Sequence, residues 1–359
     1  MNKVVQNDME YISKSFEKPS IFKDKTILIT GSAGFLGFYF SKFFIHLLEK
    51  GINFRSLVLL DNFILGKPDW VEKLKNINNR INIYKFDIAK DSIANMELAK
   101  KVDFVIHMAS IASPTYYRKY PIGTIDANVW GLRNLLEFYK NFSLEGFLFF
   151  SSSEVYGDPL PEFIPTSEEY RGNVSCVGPR ACYDEAKRFG ETLCYVYAST
   201  YNMPIRIVRP FNNYGPGMSL DDKRVSADFA NSIINDKDIV INSDGTPTRT
   251  YCYVADGIIG YLKALTYDKF DCFNIGMDTP EISVRSLAEI YRDMGKKILD
   301  YQGQTVYKRS EDKDYLTHSP LRRCPDITKA RRLLNFNPQI KIEEGVKRFL
   351  EFLKEERAR

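Results

Sequence analysis

The chain has 359 residues, 44% of them hydrophobic and 27% charged, the composition of an ordinary globular protein with one large core or two cores sharing a cleft. Its formal charge of +4 is small and its basic residues lie among acidic ones, so no concentrated basic face, and no nucleic-acid partner, is expected. Six cysteines without a CxxC pair and three widely spaced histidines exclude a disulfide framework, a zinc site and a histidine-based triad, and they suit reduced thiols in the cytoplasm.

In chain order, residues 1–20 are polar and charged, with no apolar run to serve as a signal or membrane anchor, and read as a flexible or loosely docked arm. Lys25–Thr30 is a short apolar, β-branched run with a glycine loop directly after it. Phe35–Lys50 alternates apolar and polar residues at helical spacing and stops at Gly51. A buried strand follows at Ser56–Leu60, ending in Asp61 and Asn62. Further strands are expected at Ile81–Phe86, Phe104–His107, Gly146–Ser151 and Ile205–Arg209, and the main helices between them at Pro121–Phe142 and Tyr183–Tyr201. Apolar strands alternating with helices imply an α/β fold, a Rossmann-type doubly wound parallel sheet over residues 21–210. After Arg209, loops rich in Gly, Pro, Asn and Asp separate shorter elements, closed by a helix from Ile342 to about Glu355. Residues 211–359 therefore read as a smaller C-terminal α/β substrate lobe, with some interleaving of the two lobes allowed.

The loop Gly31-Ser32-Ala33-Gly34-Phe35-Leu36-Gly37 joins a strand to a helix. Gly31 permits a tight turn, Gly34 lets backbone amides approach a pyrophosphate, and Gly37 allows close helix–sheet packing, while the helix N-terminus favours phosphate. The spacing departs by one residue from G-x-G-x-x-G, and a glycine trio alone also fits a plain turn. Asp61, at the tip of the second strand, is placed to accept the adenosine ribose hydroxyls and to repel a 2′-phosphate, which favours NAD over NADP. Asp87, followed by Ile88, ends the third strand near the adenine, or is a surface-turn aspartate.

Tyr183 and Lys187 stand four apart on one helical face. An ammonium beside a phenol lowers the phenol's pKa, so that Tyr183 can take a proton from a substrate alcohol. Ser151-Ser152-Ser153-Glu154 brings hydroxyls and a carboxylate to the end of a sheet strand, where such folds bind ligands, although a helix cap or turn uses the same residues.

With these motifs together, the sequence resembles the extended short-chain dehydrogenase/reductases that act on nucleotide sugars, the NAD-dependent epimerase/dehydratase family. The pattern runs through Gly31/Gly34/Gly37, Asp61-Asn62, His107-Met108-Ala109, Asn128, Ser152-x-Glu154-Val155-Tyr156-Gly157, Tyr183-x-x-x-Lys187 and Arg209-Pro210-Phe211-Asn212-Asn213-Tyr214-Gly215-Pro216, over roughly residues 25–330. Within it, Gly178-Pro179-Arg180-Ala181-Cys182-Tyr183-Asp184-Glu185, Arg224-Val225-Ser226 and Arg323-Cys324-Pro325-Asp326-Ile327 are similar to the UDP-glucuronate decarboxylases that make UDP-xylose. The resemblance implies NAD held by Gly31, Ala33, Gly34, Phe35, Leu36, Gly37, Asp61, Asn62, Asp87, Ile88, Ala109, Asn128, Tyr183 and Lys187. It implies Tyr183 as base, Lys187 tuning it, Ser152 on the sugar O4, and Glu154 and Arg323 flanking the substrate carboxylate. Arg323 otherwise reads as one of a solvated basic pair with Arg322.

A nucleotide sugar, UDP-linked in the closest resemblance, is then expected against Ser153, Tyr117, Asn212, Arg224, Val225, Arg249 and Arg323, with core packing an equal reading for Tyr117. A homodimer through helices Pro121–Phe142 and Tyr183–Tyr201 is also implied. A 4,6-dehydratase would carry an acidic residue where Ser153 stands, and is disfavoured. A 4-epimerase needs only Tyr183 and Lys187, and an NAD-binding scaffold would have lost them. Ile111, Pro247 and Ser152 depart from the decarboxylase pattern and leave the nucleobase and the exact sugar open.

Overall fold

The computed structural model describes residues 2–308, 314 and 317–358. The apolar runs after each helix form seven strands: β1 (Thr26–Thr30), β2 (Ser56–Asp61), β3 (Ile81–Lys85), β4 (Phe104–His107), β5 (Gly146–Phe150), β6 (Ile205–Pro210) and β7 (Asp271–Ile275). They make one parallel sheet in the order β7-β6-β5-β4-β1-β2-β3, so the winding reverses between β1 and β4. A crevice opens at the C-terminal ends of the strands at such a reversal, and Gly31 ends β1 there.

The helices are α1 (Lys3–Phe16), α2 (Phe35–Glu49), α3 (Asp69–Lys75), α4 (Pro114–Lys119), α5 (Pro121–Ile125), α6 (Leu132–Tyr139), α7 (Ala181–Tyr201), α8 (Val225–Ile234), α9 (Val254–Leu265), α10 (Val284–Leu299), α11 (Thr328–Leu334) and α12 (Ile342–Arg357). Side chains alternate across a strand, so Ile27 and Ile29 of β1 join a core with α1, α2 and α9, whereas Leu28 joins a second core with α6 and α7. Burial of β1, β2, β4 and β5 on both faces explains their nearly unbroken apolar sequences.

Two expectations are corrected. Residues 1–20 are not a loose arm: α1 buries Val5, Met9, Ile12 and Phe16 and packs on α2, α9 and α12. The helix expected over Pro121–Phe142 is α5, a π-helical turn at Asp126–Gly131, and α6, which ends at Tyr139. The two lobes interleave, since α9 covers β5 and β6 and β7 returns to the edge of the main sheet.

Candidate active site

One cavity of about 1150 Å³ runs along the strand ends from the glycine loop to the loops of the C-terminal lobe. At one end, Gly31 has φ +70°, and a Cβ there would come within 2.8 Å of the Ala109 backbone. A Cβ at Gly37 would collide with the backbone of Ser32, so both glycines are required by close approach. The Gly34 amide donates to the Gly31 carbonyl at 3.2 Å and the Ala33 amide to Asp61 at 2.9 Å. The first amides of α2 that follow have no carbonyl one turn earlier to reach, and such groups bind phosphate. Asp61 also accepts from the Phe63 amide at 2.8 Å, and burial pushes its carboxyl up against these two bonds. Asn62, Asp87, Ile88 and Ala109 continue this wall, which Phe38, Trp70 and Phe352 complete. The last of these belongs to α12, and its part in the wall has no sequence motif to announce it.

At the centre of the cavity, α7 presents Tyr183 and Lys187 one turn apart, both buried. Lys187 donates to the Phe150 carbonyl at 2.7 Å and lies 5.7 Å from the Tyr183 ring centre. Burial lowers Lys187 to about 7 and pushes Tyr183 up to about 12, with Ser152 hydrogen-bonding the phenol and opposing that rise. This corrects the expectation of a lowered phenol: desolvation outweighs the Ser152 hydrogen bond and the charge of Arg224. Tyr117 stacks almost parallel on Tyr183, with centroids 5.1 Å apart, and its buried hydroxyl has no hydrogen-bond partner. It is therefore a wall of the site rather than core packing alone.

Ser152 caps the short 3-10 turn Ser153–Tyr156 by accepting from the Glu154 amide, which sets Ser152, Ser153 and Glu154 on the cavity wall. Arg180 donates to Glu154 at 2.5 Å and Arg323 at 2.8 Å. Burial would raise Glu154, but Arg323, Arg180 and Arg249 together hold it down to about 2. Asp184, 3.5 Å from Arg180, is raised to about 7 by burial and by Glu154.

Two expected site residues lie elsewhere. Arg323 is 1% exposed, is absent from the cavity wall, and donates its second bond to the Ser153 carbonyl at 2.5 Å, so it supports Glu154 from behind. Nor is it solvated like its neighbour Arg322, which pairs on the surface with Glu281. Asn128 is buried in the π-helical turn, bonded to the Thr124 carbonyl and off the wall. Arg180, by contrast, lines the cavity. Its position one turn before Tyr183 was the available signal. The loops of the C-terminal lobe add Asn212, Arg224, Val225 and Arg249 to the wall, with Arg224 paired to Asp222 and Arg249 donating to the carbonyls of Thr248, Pro320 and Leu321.

The glycine cradle, the α2 N-terminus and Asp61 fit a dinucleotide, and the buried Tyr183–Lys187 pair fits proton exchange with an alcohol carbon that gives up hydride. A family model described as the NAD dependent epimerase/dehydratase family matches residues 27–276, and the chain belongs to that family of enzymes. Among relatives, the chain is 35% identical over 322 residues to UDP-glucuronic acid decarboxylase 6 of Arabidopsis thaliana, covering 89% of this chain and 86% of that one. It is 33% identical to UDP-glucuronic acid decarboxylase 1 of Xenopus tropicalis, covering 92% and 73%. Its structure resembles UDP-glucuronic acid 4-epimerase from Bacillus cereus, solved in complex with UDP-glucuronic acid and NAD, with a TM-score of 0.74 and 27% identity over 92% of this chain and 99% of that one.

Proposed function

We propose that this chain converts UDP-glucuronate to UDP-xylose by transient oxidation at C4, loss of the C5 carboxylate as CO₂, and reduction at C4. The observation that carries this reading is Glu154, held ionised between two arginines on the wall beside Tyr183. A dehydratase needs a protonated acid there to release a hydroxyl. Ser153 cannot serve, and Glu154 at about 2 is not protonated.

Tyr183 takes the O4 proton while Ser152 holds the oxygen in place. The glycine loop, Asp61 and Lys187 would hold NAD, which when bound would supply reversible hydride exchange at C4 and so a redox-neutral cycle. A C4 ketone is β to the carboxylate, and the electrons of the breaking C–C bond pass into the enolate. Glu154 acts here by its charge, crowding the substrate carboxylate, and the C5 proton comes from solvent. Tyr183 then gives its proton back to O4. Arg224 and Arg249 suit the diphosphate, since a planar guanidinium binds it through paired bonds.

Mass spectrometry of the products from UDP-glucuronate tests the reading, with UDP-pentose and CO₂ expected. Recovery of UDP-galacturonate instead would make the enzyme a 4-epimerase, the second reading, which the likeness to the Bacillus cereus enzyme favours. Tyr183→Phe should lower turnover ~100-fold or more while NAD stays bound. The six free cysteines suit a reducing cytoplasm. No helix among the described residues is long and apolar enough to cross a membrane. A homodimer completes the proposal, built on the exposed apolar side chains of α5, the π-helical turn and α7.

A further inference from the structure

Three arginines of the site are held by partners of their own, and two of these, Arg224 and Arg249, are the ones suited to the diphosphate. Arg323 is off the wall, with bonds to Ser153 and Glu154. Arg224 faces both oxygens of Asp222, and Arg249 binds three backbone carbonyls. Arg180 differs. It is on the wall although only 6% exposed, and its side chain makes one hydrogen bond among the described residues, from Nη2 to Glu154. Its buried Nε–H has no acceptor, and Asp184 lies 3.5 Å away, beyond the usual length for such a bond. A guanidinium carries five N–H donors, so most of its capacity is unused.

Its position relative to the base is also fixed. The guanidinium lies 5.9 Å over the Tyr117 ring, which stacks on Tyr183. Arg180 and Tyr183 therefore both lie against the Tyr117 ring, and the Arg180 carbonyl accepts the Tyr183 amide at 2.9 Å. A sugar whose O4 meets Tyr183 carries its C5 substituent on the adjacent ring atom, within reach of a group held this close to the base.

We propose that Arg180, rather than Arg323, recognises the C5 carboxylate of an acidic sugar, and that Arg323 is a positioning residue that acts through Glu154. The assignment rests on the decarboxylase reading and names the residue that makes it selective for uronic acids. Arg180 then lies between two carboxylates, Glu154 and the substrate's, and departure of CO₂ removes the second. Burial and the neighbouring Glu154 raise the Asp184 carboxyl, which weakens its opposition to the incoming carboxylate.

Calorimetric titration of the NAD-loaded enzyme with UDP-glucuronate and with UDP-glucose provides the test. Wild type should prefer UDP-glucuronate. Arg180→Gln should weaken UDP-glucuronate about tenfold or more and UDP-glucose hardly at all. Arg180→Lys keeps a cation for Glu154 without the planar fork, and should lose most of the preference. It decides the matter if the glutamine variant does not fold. Arg323→Lys should lower kcat for UDP-glucuronate with little change in KM, and should recover more turnover than Arg323→Gln. A wild type without preference overturns the decarboxylase reading and this assignment together. A wild type that discriminates, with Arg180 variants that still do so or that lose both ligands equally, overturns the assignment alone.

Discussion

Glu154 is the residue on which the chemistry of the site and its stability meet. It is the carboxylate partner of Arg323, a side chain 1% exposed, and one of two acidic neighbours of Arg180. Removing one member of such a buried pair leaves a charge without a counter-ion, so Glu154→Gln should destabilise the fold by ~3–5 kcal/mol as well as stop turnover. Thermal unfolding checks this, and a melting temperature equal to wild type would mean that Arg323 has another partner. Lys187 should show the opposite trade. Burial lowers it from 10.5 to about 7, so between those values it is protonated in the unfolded chain and neutral in the fold. Its favourable contribution is present above 10.5 and is lost as pH falls to 7, where folding must bury the ammonium. Lys187→Met, measured without bound cofactor, should therefore melt several degrees above wild type at pH 7, and the gap should narrow towards pH 10. A gap independent of pH would contradict the buried-ammonium account. At this scale the place of Gly31, Gly37, Asp61, Tyr183 and Lys187 on the cavity wall was legible because each lies within a contiguous motif. The division of labour between Arg180 and Arg323 was not, because it depends on which side of Glu154 each guanidinium occupies after residues 169 apart meet.

The N-terminal helix shows how one buried charge can disguise an element. Val5, Met9, Ile12 and Phe16 of α1 follow helical spacing, yet Asp8 interrupts the same face and the segment reads as polar. In the fold Asp8 is fully buried, accepting from Tyr39 and Tyr253 at 2.7 Å and from Arg348 at 2.9 Å. These partners come from α2, from just before α9, and from α12, so one carboxylate ties α1 to three parts of the chain. Asp8→Ala should destabilise by ~3 kcal/mol, seen as a lower urea midpoint, because two buried phenols and a half-buried arginine lose their acceptor. A variant with the wild-type midpoint would mean that α1 is held by its apolar face alone. Strands β1, β2, β4 and β5 could be placed from sequence to within a residue or two, since burial on both faces leaves an unmistakable apolar run, and β3 and β6 were placed as closely by their alternating isoleucines. β7 escaped that reading: Asp271-Cys272-Phe273-Asn274-Ile275 carries Asn274, whose amide is hydrogen-bonded to the Thr166 and Asp326 carbonyls, in place of an apolar residue.

Across the whole molecule, the exposed apolar side chains are not scattered evenly. Ile122 on α5, Trp130 in the π-helical turn, and Phe189 and Val196 on α7 are all exposed, with Trp130 at 51% and Phe189 at 49%. The two segments that carry them pack on each other, so the side chains sit on neighbouring helices. Large aromatic groups left in water on adjacent helices mark a docking face, and a second copy of the chain placed by a two-fold axis would make a four-helix contact. The opposite face of α7 carries Tyr183 and Lys187, so the same helix would be held between the partner and the cavity. Wild type should sediment as two chains at micromolar concentration. Trp130→Glu combined with Phe189→Glu places two charges in the contact, where they lack counter-ions, and should sediment as one chain. Turnover should fall with it, because α7 then loses the support that keeps its first turn against Glu154. A wild type that sediments as one chain, or a double variant that remains two, would remove the dimer from the proposal, whereas a fully active monomer would show that α7 keeps its place without a partner.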